Sequence, residues 1–407
     1  MTALRTLAPA AALTVLAGCA AAGPAGWPEH TGGTPPDAAL SAVVGRADLD
    51  AGPRFHPVAL SGGPGVVHVL GEFPFDVDSE EPPPSPDLLL SYPVVDGQLG
   101  EPVVFTERED YPGVTGAWDS GLATAADGDA LLLVELADDE DRQSPGIGQL
   151  ALIRLDPSTG QGTTTPLAVT PVDRPYESLS DPTLDCSVDD VCAAMVSDGY
   201  WGTLLLVLDA HTGEVLASTP VAEGDDRAVD GALIDDDGAR IAVLGSDRVV
   251  QGSAYAELPW VQYYDTALVP LGPQVPLSAG DASVGGAALR HDGSLVAAVR
   301  AEPKGSAALV GVTPGAGSPA LLTGPLPGIG AVSGLVVDDL GGWVHLLAPV
   351  APAAPAAVSV DLTSGEVHGS GRLCAGDATL EGLVLTAAGA VTVGACDGAE
   401  LTVLGGG

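Results

Sequence analysis

A short strand-turn-strand unit that recurs along the chain is the feature that most restricts its fold. In the clearest copy, residues 286–289 lead through the turn His291-Asp292-Gly293 to the apolar run 295–299. Two further copies start at Gly334 and Gly382, so the starting glycines are evenly spaced (334 − 286 = 48 and 382 − 334 = 48). Two apolar runs joined by a tight Asp-Gly turn are typical of a β-hairpin. The chain is therefore expected to consist of repeated hairpins.

Four copies upstream bring the repeats to seven, and they start at Gly231, Thr183, Gly121 and Pro57. Periodic four-stranded units of roughly 40–50 residues are the mark of a β-propeller, in which each unit is a blade packed against its neighbours. We predict an all-β propeller of seven four-stranded blades over residues 40–407. A six- or eight-bladed ring and an open β-sandwich array are the alternatives.

The last repeat contains only three predicted strands, 380–385, 391–395 and 400–404. The segment Ala42-Val43-Val44 is apolar and precedes the first repeat. We predict that it supplies the outermost strand of the last blade. Closing the ring in this way removes an exposed strand edge.

A second turn recurs after an apolar strand in three copies, at residues 156–160, 209–214 and 361–366. These turns resemble the D-x-x-T-G-E turn of quinoprotein-like repeats, and the hairpin rhythm is similar to that of WD40-like β-propellers. The tryptophan that quinoprotein repeats place after this turn is missing, because Val215 to Ser218 follow Glu214. A pyrroloquinoline quinone enzyme would also need a Ca²⁺ site that includes asparagine and adjacent cysteines. The chain has neither, so no cofactor is predicted.

The N-terminus predicts export and lipid anchoring. A basic start at Arg5 precedes a short apolar run, which is typical of a secretory signal. The motif Leu16-Ala17-Gly18-Cys19 then resembles the lipobox of bacterial lipoproteins, in which the cysteine is diacylated and becomes the first mature residue. Two acyl chains make a stable membrane anchor. We predict a signal peptide at 1–18, the lipidated cysteine and a flexible tether at 19–39, and an extracytoplasmic location at the cell surface or in the periplasm.

The charge of the chain restricts which partners it can bind. The chain has 14 Lys and Arg against 54 Asp and Glu, a net charge of −40. This balance argues against binding to nucleic acid or to an anionic membrane surface, because both need the opposite sign.

The four remaining cysteines predict disulfides Cys186–Cys192 and Cys374–Cys396, although four cysteines allow three connectivities.

Common catalytic and phosphate-binding motifs are missing from the sequence. It contains no G-x-S-x-G, no H-E-x-x-H and no G-x-x-x-x-G-K, and its seven histidines are scattered. We therefore predict no catalytic residue and no metal site. The favoured function is a non-catalytic binding or scaffold module. A hydrolase or lactonase-like propeller enzyme and a structural or sensor subunit of an envelope complex are the alternatives.

Loop lengths predict which side of the ring binds. The connections between second and third strands are long, at 72–87, 137–149, 198–202 and 246–260. They lie on the same side as the blade-to-blade connections, and we call this side the long-loop face. The opposite side, with turns such as Asp237-Gly238, is the tight-turn face. Long loops in a compact domain are often functional.

Aromatic residues concentrate in these same connections, in a chain with 4% aromatics. Exposed aromatics are enriched in binding hot spots. Acidic runs at 138–141 and 225–226 indicate a basic, cationic or metal-bridged partner, either a protein or a small molecule. The alternative is that the aromatics only pack the loops onto the ring. The predicted binding residues are Phe73, Phe75, Trp118, Tyr200, Trp201, Tyr255 and Trp260.

Overall fold

Each repeat folds into an antiparallel sheet because its apolar runs are short and are separated by residues that favour turns. The computed structural model shows seven such sheets, and no helix occurs among the residues it describes. The predicted all-β, seven-bladed propeller is thus confirmed. In that same part of the chain, no helix has the length and apolar character needed to cross a bilayer. The described residues are 42–49, 55–63, 65–72, 87–106, 121–136, 149–169, 180–197, 203–222, 226–251, 254–302, 305–339, 342–350, 354–372, 379–387, 389–395 and 399–405.

The strands are numbered along the chain, and β1 (Ala42–Asp48) precedes blade 1. Blade 1 contains β2 (His56–Gly63), β3 (Val66–Glu72), β4 (Asp87–Val95) and the short strands β5 (Gln98–Leu99) and β6 (Val103–Thr106), which both pair with β4. Blade 2 contains β7 (Gly121–Thr124), β8 (Ala130–Leu136), β9 (Gln149–Asp156) and β10 (Gln161–Pro166). Blade 3 contains β11 (Ser180–Cys186), β12 (Val191–Ser197), β13 (Thr203–Asp209) and β14 (Val215–Ala222).

The remaining blades keep the same order from the innermost strand outward. Blade 4 contains β15 (Arg227–Ile234), β16 (Arg240–Gln251), β17 (Ala254–Asp265) and β18 (Val275–Pro276). Blade 5 contains β19 (Ala282–Leu289), β20 (Leu295–Ala301), β21 (Ala307–Val312) and β22 (Ala320–Leu321). Blade 6 contains β23 (Gly334–Asp338), β24 (Trp343–Val350), β25 (Ala354–Asp361) and β26 (Val367–Arg372). Blade 7 contains β27 (Thr379–Thr386), β28 (Gly389–Ala395), β29 (Ala399–Gly405) and, outermost, β1.

Strand β1 closes the ring as predicted. It runs antiparallel to β29 from the pair Ala42 and Gly405 to the pair Asp48 and Glu400, with one irregularity between Val43 and Gly45. Blade 7 thereby gains its fourth strand, and the outer edge of β29 is covered.

The glycines that start these repeats have a packing role. The innermost strands β2, β7, β11, β15, β19, β23 and β27 contact one another in turn, and β27 contacts β2. A Cβ atom added to Gly286 would lie 2.9 Å from Leu335 Cβ, and one added to Gly382 would lie 3.1 Å from Leu60 Cβ. Glycine at this place therefore lets neighbouring blades approach closely around the central axis.

The hydrophobic core lies in the seams between blades. One cluster joins Leu131 and Leu133 of blade 2 to Leu206 and Leu208 of blade 3, and all four side chains are fully buried. A further cluster joins blades 3 and 4 through residues such as Val207. Each blade thus buries its faces against its neighbours, as the propeller architecture requires.

The Asp-x-x-Thr-Gly turns owe their sequence to local hydrogen bonds. In the turn after β9, Asp156 Oδ1 accepts the backbone N–H of Ser158 at 2.7 Å, and Gly160 adopts a positive φ of 68°. These bonds favour the ionised carboxylate, so hydrogen bonding from Ser158 and Thr159 lowers the pKa of Asp156 to about 2. An aspartate that satisfies the turn backbone and a glycine that accepts the left-handed conformation explain why the motif recurs.

Candidate functional site

The two predicted binding residues that the structure describes, Tyr255 and Trp260, differ in their exposure to solvent. Tyr255 lies on β17 and is 66% exposed, whereas Trp260 lies on the same strand and is 3% exposed. The connections 73–86, 137–148 and 198–202 join second to third strands, as predicted. The predicted residues that lie outside the described part of the chain are Phe73, Phe75, Trp118, Tyr200, Trp201, Cys19, Cys374 and Cys396.

The predicted long loop at 246–260 is wrong. Strands β16 and β17 form one continuous ladder from the pair Arg240 and Asp265 to the pair Gln251 and Ala254. The chain extends here because Val249, Val250 and Tyr255 favour strands, while only Gly252-Ser253 separates the two runs. A two-residue Gly-Ser connection between such runs is itself a hairpin signal, so the sequence held the information that would have corrected the prediction.

The outer part of this hairpin extends beyond the four-stranded sheet of blade 4. Strand β15 pairs with β16 only as far as Asp247, and β18 pairs with β17 only at Trp260 and Val261. Residues 248–251 and 254–257 therefore form a two-stranded ribbon on the long-loop face. We call this ribbon the arm.

Trp260 fixes the base of the arm. Its indole N–H donates to Asp247 Oδ1 at 3.1 Å, and the Arg227 guanidinium lies 4.8 Å from the ring centroid. Arg227 also donates to Asp247 at 2.8 Å and to Gln274 Oε1 at 2.7 Å. The ring crosses Gly245, where an added Cβ would lie 2.5 Å from Trp260 Cζ2.

The predicted exposure of Trp260 is therefore wrong. The missing side chain at Gly245 opens a slot that the ring fills, and a buried indole N–H needs the partner that Asp247 provides. Trp260 belongs to the hydrophobic cluster between blades 3 and 4. Its role in the structure is to anchor the arm.

The tip of the arm carries an apolar pair. Val250 and Tyr255 lie directly opposite each other and are 70% and 66% exposed. Two residues nearer the ring, Arg248 and Glu257 form a half-exposed ion pair at 3.6 Å. Because side chains alternate along a strand, these four side chains share one face of the arm. On the opposite face, Ala256 is buried.

The surroundings of the arm are acidic. Asp281 Oδ1 accepts the backbone N–H of Glu257 at 2.9 Å. Asp230 is exposed to solvent, but the protein atoms around it partly desolvate its carboxylate and raise its pKa, and the nearby Glu257 carboxylate raises it further. Glu302 also lies on the long-loop face of the ring, and hydrogen bonds from Arg300 and Ser283 lower its pKa. Carboxylates thus outnumber cations beside the arm.

The tight-turn face has a different construction, because its turns bond to the next blade. Ala126 N donates to Asp190 Oδ1 at 3.0 Å between blades 2 and 3, and Val188 N donates to Asp236 O at 3.2 Å between blades 3 and 4. Arg240 Nη1 donates to Asp292 O at 3.0 Å between blades 4 and 5.

Blades 5 and 6 are joined on this face by one carboxylate. Asp339 Oδ1 accepts Arg290 Nε at 2.7 Å, and its Oδ2 accepts His291 N at 2.5 Å. The predicted Cys186–Cys192 disulfide is present and links directly opposite residues of β11 and β12. It closes the turn that contains Val188 and Asp190, so it holds the segment that connects blades 2, 3 and 4.

Two histidines are part of the core. His68 Nδ1 and His345 Nδ1 each lie 2.9 Å from the hydroxyl of a serine on the next strand, Ser91 and Ser359. Burial lowers the pKa of both rings to about 4, so both are neutral at pH 7.

Within the described ranges, no group of three or more His, Cys, Asp or Glu side chains is placed to hold a metal ion.

An open cavity of about 340 Å³ lies between blades 4 and 5 on the tight-turn face. Its walls come from the longer turns 266–274 and 313–319 and from the first-to-second strand turns, and a Cβ added to Gly272 would lie 3.1 Å from Gly315 Cα. The lining residues are Arg240, Leu271, Asp292, Thr313 and Pro314. Arg240 already donates to Asp292 O and, at 3.4 Å, to Asp235. The cavity is thus a gap between two joined blades.

The sequence matches no protein-family model and no curated protein. Solved structures share the fold. A chain of the mitotic checkpoint complex is 13% identical with a TM-score of 0.53, over 89% of this chain and 94% of that chain. The Dos1 propeller is 12% identical with a TM-score of 0.51, over 91% of this chain and 96% of that chain. At such identities the similarity shows the fold alone, and that fold is a β-propeller.

Proposed function

We propose that the protein is a lipid-anchored, extracytoplasmic binding module that holds a protein partner on its long-loop face. The observation that carries the proposal is the arm, which displays the exposed pair Val250 and Tyr255 from a base held by Trp260. Tyrosine is enriched in binding hot spots. A hairpin that is already formed also loses less conformational entropy on binding than an unpaired loop does.

The direction of the closing strand shows on which face of the ring the anchored segment would join it. Strand β1 starts at Ala42 opposite Gly405, where β29 reaches the tight-turn face. The preceding segment, which would carry the lipid on Cys19, therefore joins the ring on the tight-turn face. The arm lies on the opposite face of the ring, so the anchored segment would not join the ring beside it.

Charge indicates the chemistry of the partner. The net charge is −40, and Asp230, Glu257 and Asp281 lie near the arm with Arg248 as the opposing charge on it. A partner with basic residues beside an apolar contact fits this surface. The fold itself occurs in a chain of the mitotic checkpoint complex, which is an assembly of proteins.

Site-specific photo-crosslinking tests the binding face. A photoreactive residue at Tyr255 of the full chain, in cells, should crosslink to one discrete protein. The matched control is the same residue at Leu321, which is 68% exposed on the outermost strand of blade 5. Equal crosslinking at both positions, or none at Tyr255, would contradict the proposal.

The anchor is tested separately. Cys19→Ala should leave a protein that no longer partitions into detergent and takes up no labelled fatty acid, because the thiol is the proposed site of the lipid. Labelling that persists in this variant would show that the lipobox interpretation is wrong.

A further inference from the structure

We infer that the partner binds by adding an extended segment as a β-strand to the outer edge of β17 in the arm, at residues 254–257. The inference rests on the proposed function and specifies the form of its partner. Strand addition uses backbone hydrogen bonds for affinity and side-chain contacts for specificity.

The direction of two backbone N–H groups shows how the arm is hydrogen-bonded. Arg248 N donates to Asp226 O at 2.6 Å on the inner side, and Glu257 N donates to Asp281 Oδ1 at 2.9 Å on the outer side. Both groups therefore point away from the partner strand in the arm. Arg248 and Glu257, which lie opposite each other, form a non-hydrogen-bonded pair of the antiparallel ladder.

The same alternation fixes the backbone at the tip. Pairs of the two kinds alternate along an antiparallel ladder, so Val250 and Tyr255, two residues further out, are also a non-hydrogen-bonded pair. The N–H and C=O of Tyr255 consequently point to the outer edge, and those of Val250 point to the inner edge. The two side chains lie close together on one face, as is usual for such pairs.

The outer edge of the arm is left open by blade 4. Strand β18 pairs with β17 at Trp260 and Val261, and Leu277 N donates to Pro259 O at 2.8 Å. Further out, no strand among the described residues pairs with this edge. The groups presented there are the N–H and C=O of Tyr255 and the C=O of Glu257. Open edges of this kind are templates for pairing with another chain.

The surface around this edge selects the occupant. An added strand would place alternate side chains on the face of Val250 and Tyr255, which favours apolar residues at those positions. Asp281 and Glu257 flank the edge, which favours lysine or arginine between them. A second copy of this chain would bring the same negative net charge of −40, so pairing of two arms is disfavoured. The structure therefore favours a basic, extended segment of a different protein.

A peptide binding experiment with proline variants tests the inference. The probe is a ten-residue peptide of alternating lysine and valine, and its control is the same peptide with alternate amides N-methylated. Binding to the purified full chain is measured by fluorescence polarisation. Tyr255→Pro removes the outward N–H without removing a hydrogen bond of the arm, and Tyr255→Ser removes the side chain alone. Val250→Pro, compared with Val250→Ser, removes the equivalent N–H on the inner edge.

Strand addition predicts that Tyr255→Pro weakens peptide binding about tenfold beyond Tyr255→Ser, because one backbone hydrogen bond is lost. Val250→Pro should bind as Val250→Ser does, and N-methylation should weaken binding to the wild type. Equal affinities of Tyr255→Pro and Tyr255→Ser would overturn the inference. Equal binding of both peptides, or no binding of the lysine-valine peptide, would do the same.

The two proposals can fail separately. If the photo-crosslink at Tyr255 persists while the proline variant has no special effect, the binding face stands and strand addition is wrong. If both are negative, the binding face is wrong as well. A dimer detected by light scattering and abolished by Tyr255→Pro would identify a second copy as the occupant and overturn the choice of a basic partner.

Discussion

The two faces of the ring use charged residues in different ways. On the tight-turn face, Asp190 and Asp339 accept hydrogen bonds from the neighbouring blade at 2.5–3.0 Å. On the long-loop face, the Arg248 and Glu257 pair spans one hairpin, at 3.6 Å and half exposed. An acidic composition therefore serves two purposes, because some carboxylates join blades while others shape a surface that is open to a partner.

The difference also shows how a propeller can vary one face without weakening the ring. Short turns keep their carboxylates within reach of the next blade, so the tight-turn face supplies many of the polar contacts between blades. The other face is then free to extend one hairpin, as blade 4 does with its two 12-residue strands.

Within the long-loop face, the base of the arm should matter for stability and its tip should not. Trp260→Ala is expected to lower the free energy of unfolding by about 3–5 kcal/mol, because it empties a fully packed slot and leaves Asp247 without its indole partner. Tyr255→Ala should change it by less than about 0.5 kcal/mol, because Tyr255 is 66% exposed. Urea unfolding of both variants measures the difference. Similar losses would contradict the separation of base and tip.

Acid should weaken the core of blades 1 and 6. Burial lowers the pKa of His68 and of His345 to about 4 in the folded protein, whereas the ordinary pKa of a histidine, which applies in the unfolded chain, is 6.5. The unfolded chain therefore binds more protons between these two pH values, and stability falls as the pH drops from 6.5 towards 4. The loss is about 3 kcal/mol per histidine at pH 4.

Asp185 opposes this effect, so the histidine contribution must be isolated. Burial raises the pKa of Asp185 to about 6, which adds stability as the pH falls through that value. We propose His68→Gln as the comparison, because glutamine does not titrate. The pH dependence of chemical unfolding should become shallower in this variant between pH 6.5 and 4. An unchanged slope would show that His68 does not contribute.

Removing Asp339, the turn carboxylate that joins blades 5 and 6, should cause the next largest loss of stability. Asp339→Ala removes the acceptor of Arg290 Nε and His291 N, and should lower the free energy of unfolding by about 2–3 kcal/mol. The matched control is Glu257→Ala, which breaks a surface ion pair and should cost less than about 1 kcal/mol. Thermal unfolding of both variants compares the faces directly. Equal losses would remove the distinction between them.

The disulfide on the tight-turn face should contribute least of these four. Replacing Cys186 and Cys192 together by serine should lower the free energy of unfolding by about 2 kcal/mol, because the bridge closes a short loop. Hydrogen exchange should also show faster opening of the turn 187–190 and of its contacts in blades 2 and 4. Faster exchange confined to blade 3 would indicate that the turn does not connect the blades.

Sequence patterns predicted the ring well because its repeats are local. Each hairpin carries its own turn residues, and Gly286, Gly334 and Gly382 mark where neighbouring blades approach. The closing strand followed from a blade that lacked one strand. These features depend on residues close in sequence or on a fixed period.

The burial of Trp260 and the hydrogen bonds between blades were not predicted, because they depend on contacts between residues that are not adjacent in the sequence. Trp260 is buried because Gly245 has no side chain and because Arg227 lies over the indole ring. Nothing in the local sequence at Trp260 encodes that slot. The hydrogen bonds between blades, such as Arg240 to Asp292, join residues 52 positions apart and follow only from the ring geometry.

The closing strand has a mechanical consequence if the protein is tethered at Cys19 as proposed. Tension from the membrane would enter at Ala42, the first residue of β1. The part of that force that acts along β1 would load the ladder with β29, from Ala42 to Asp48, in shear, so that its hydrogen bonds share the force rather than open one at a time. A partner that pulls on the arm would thus load the ladder that closes the ring.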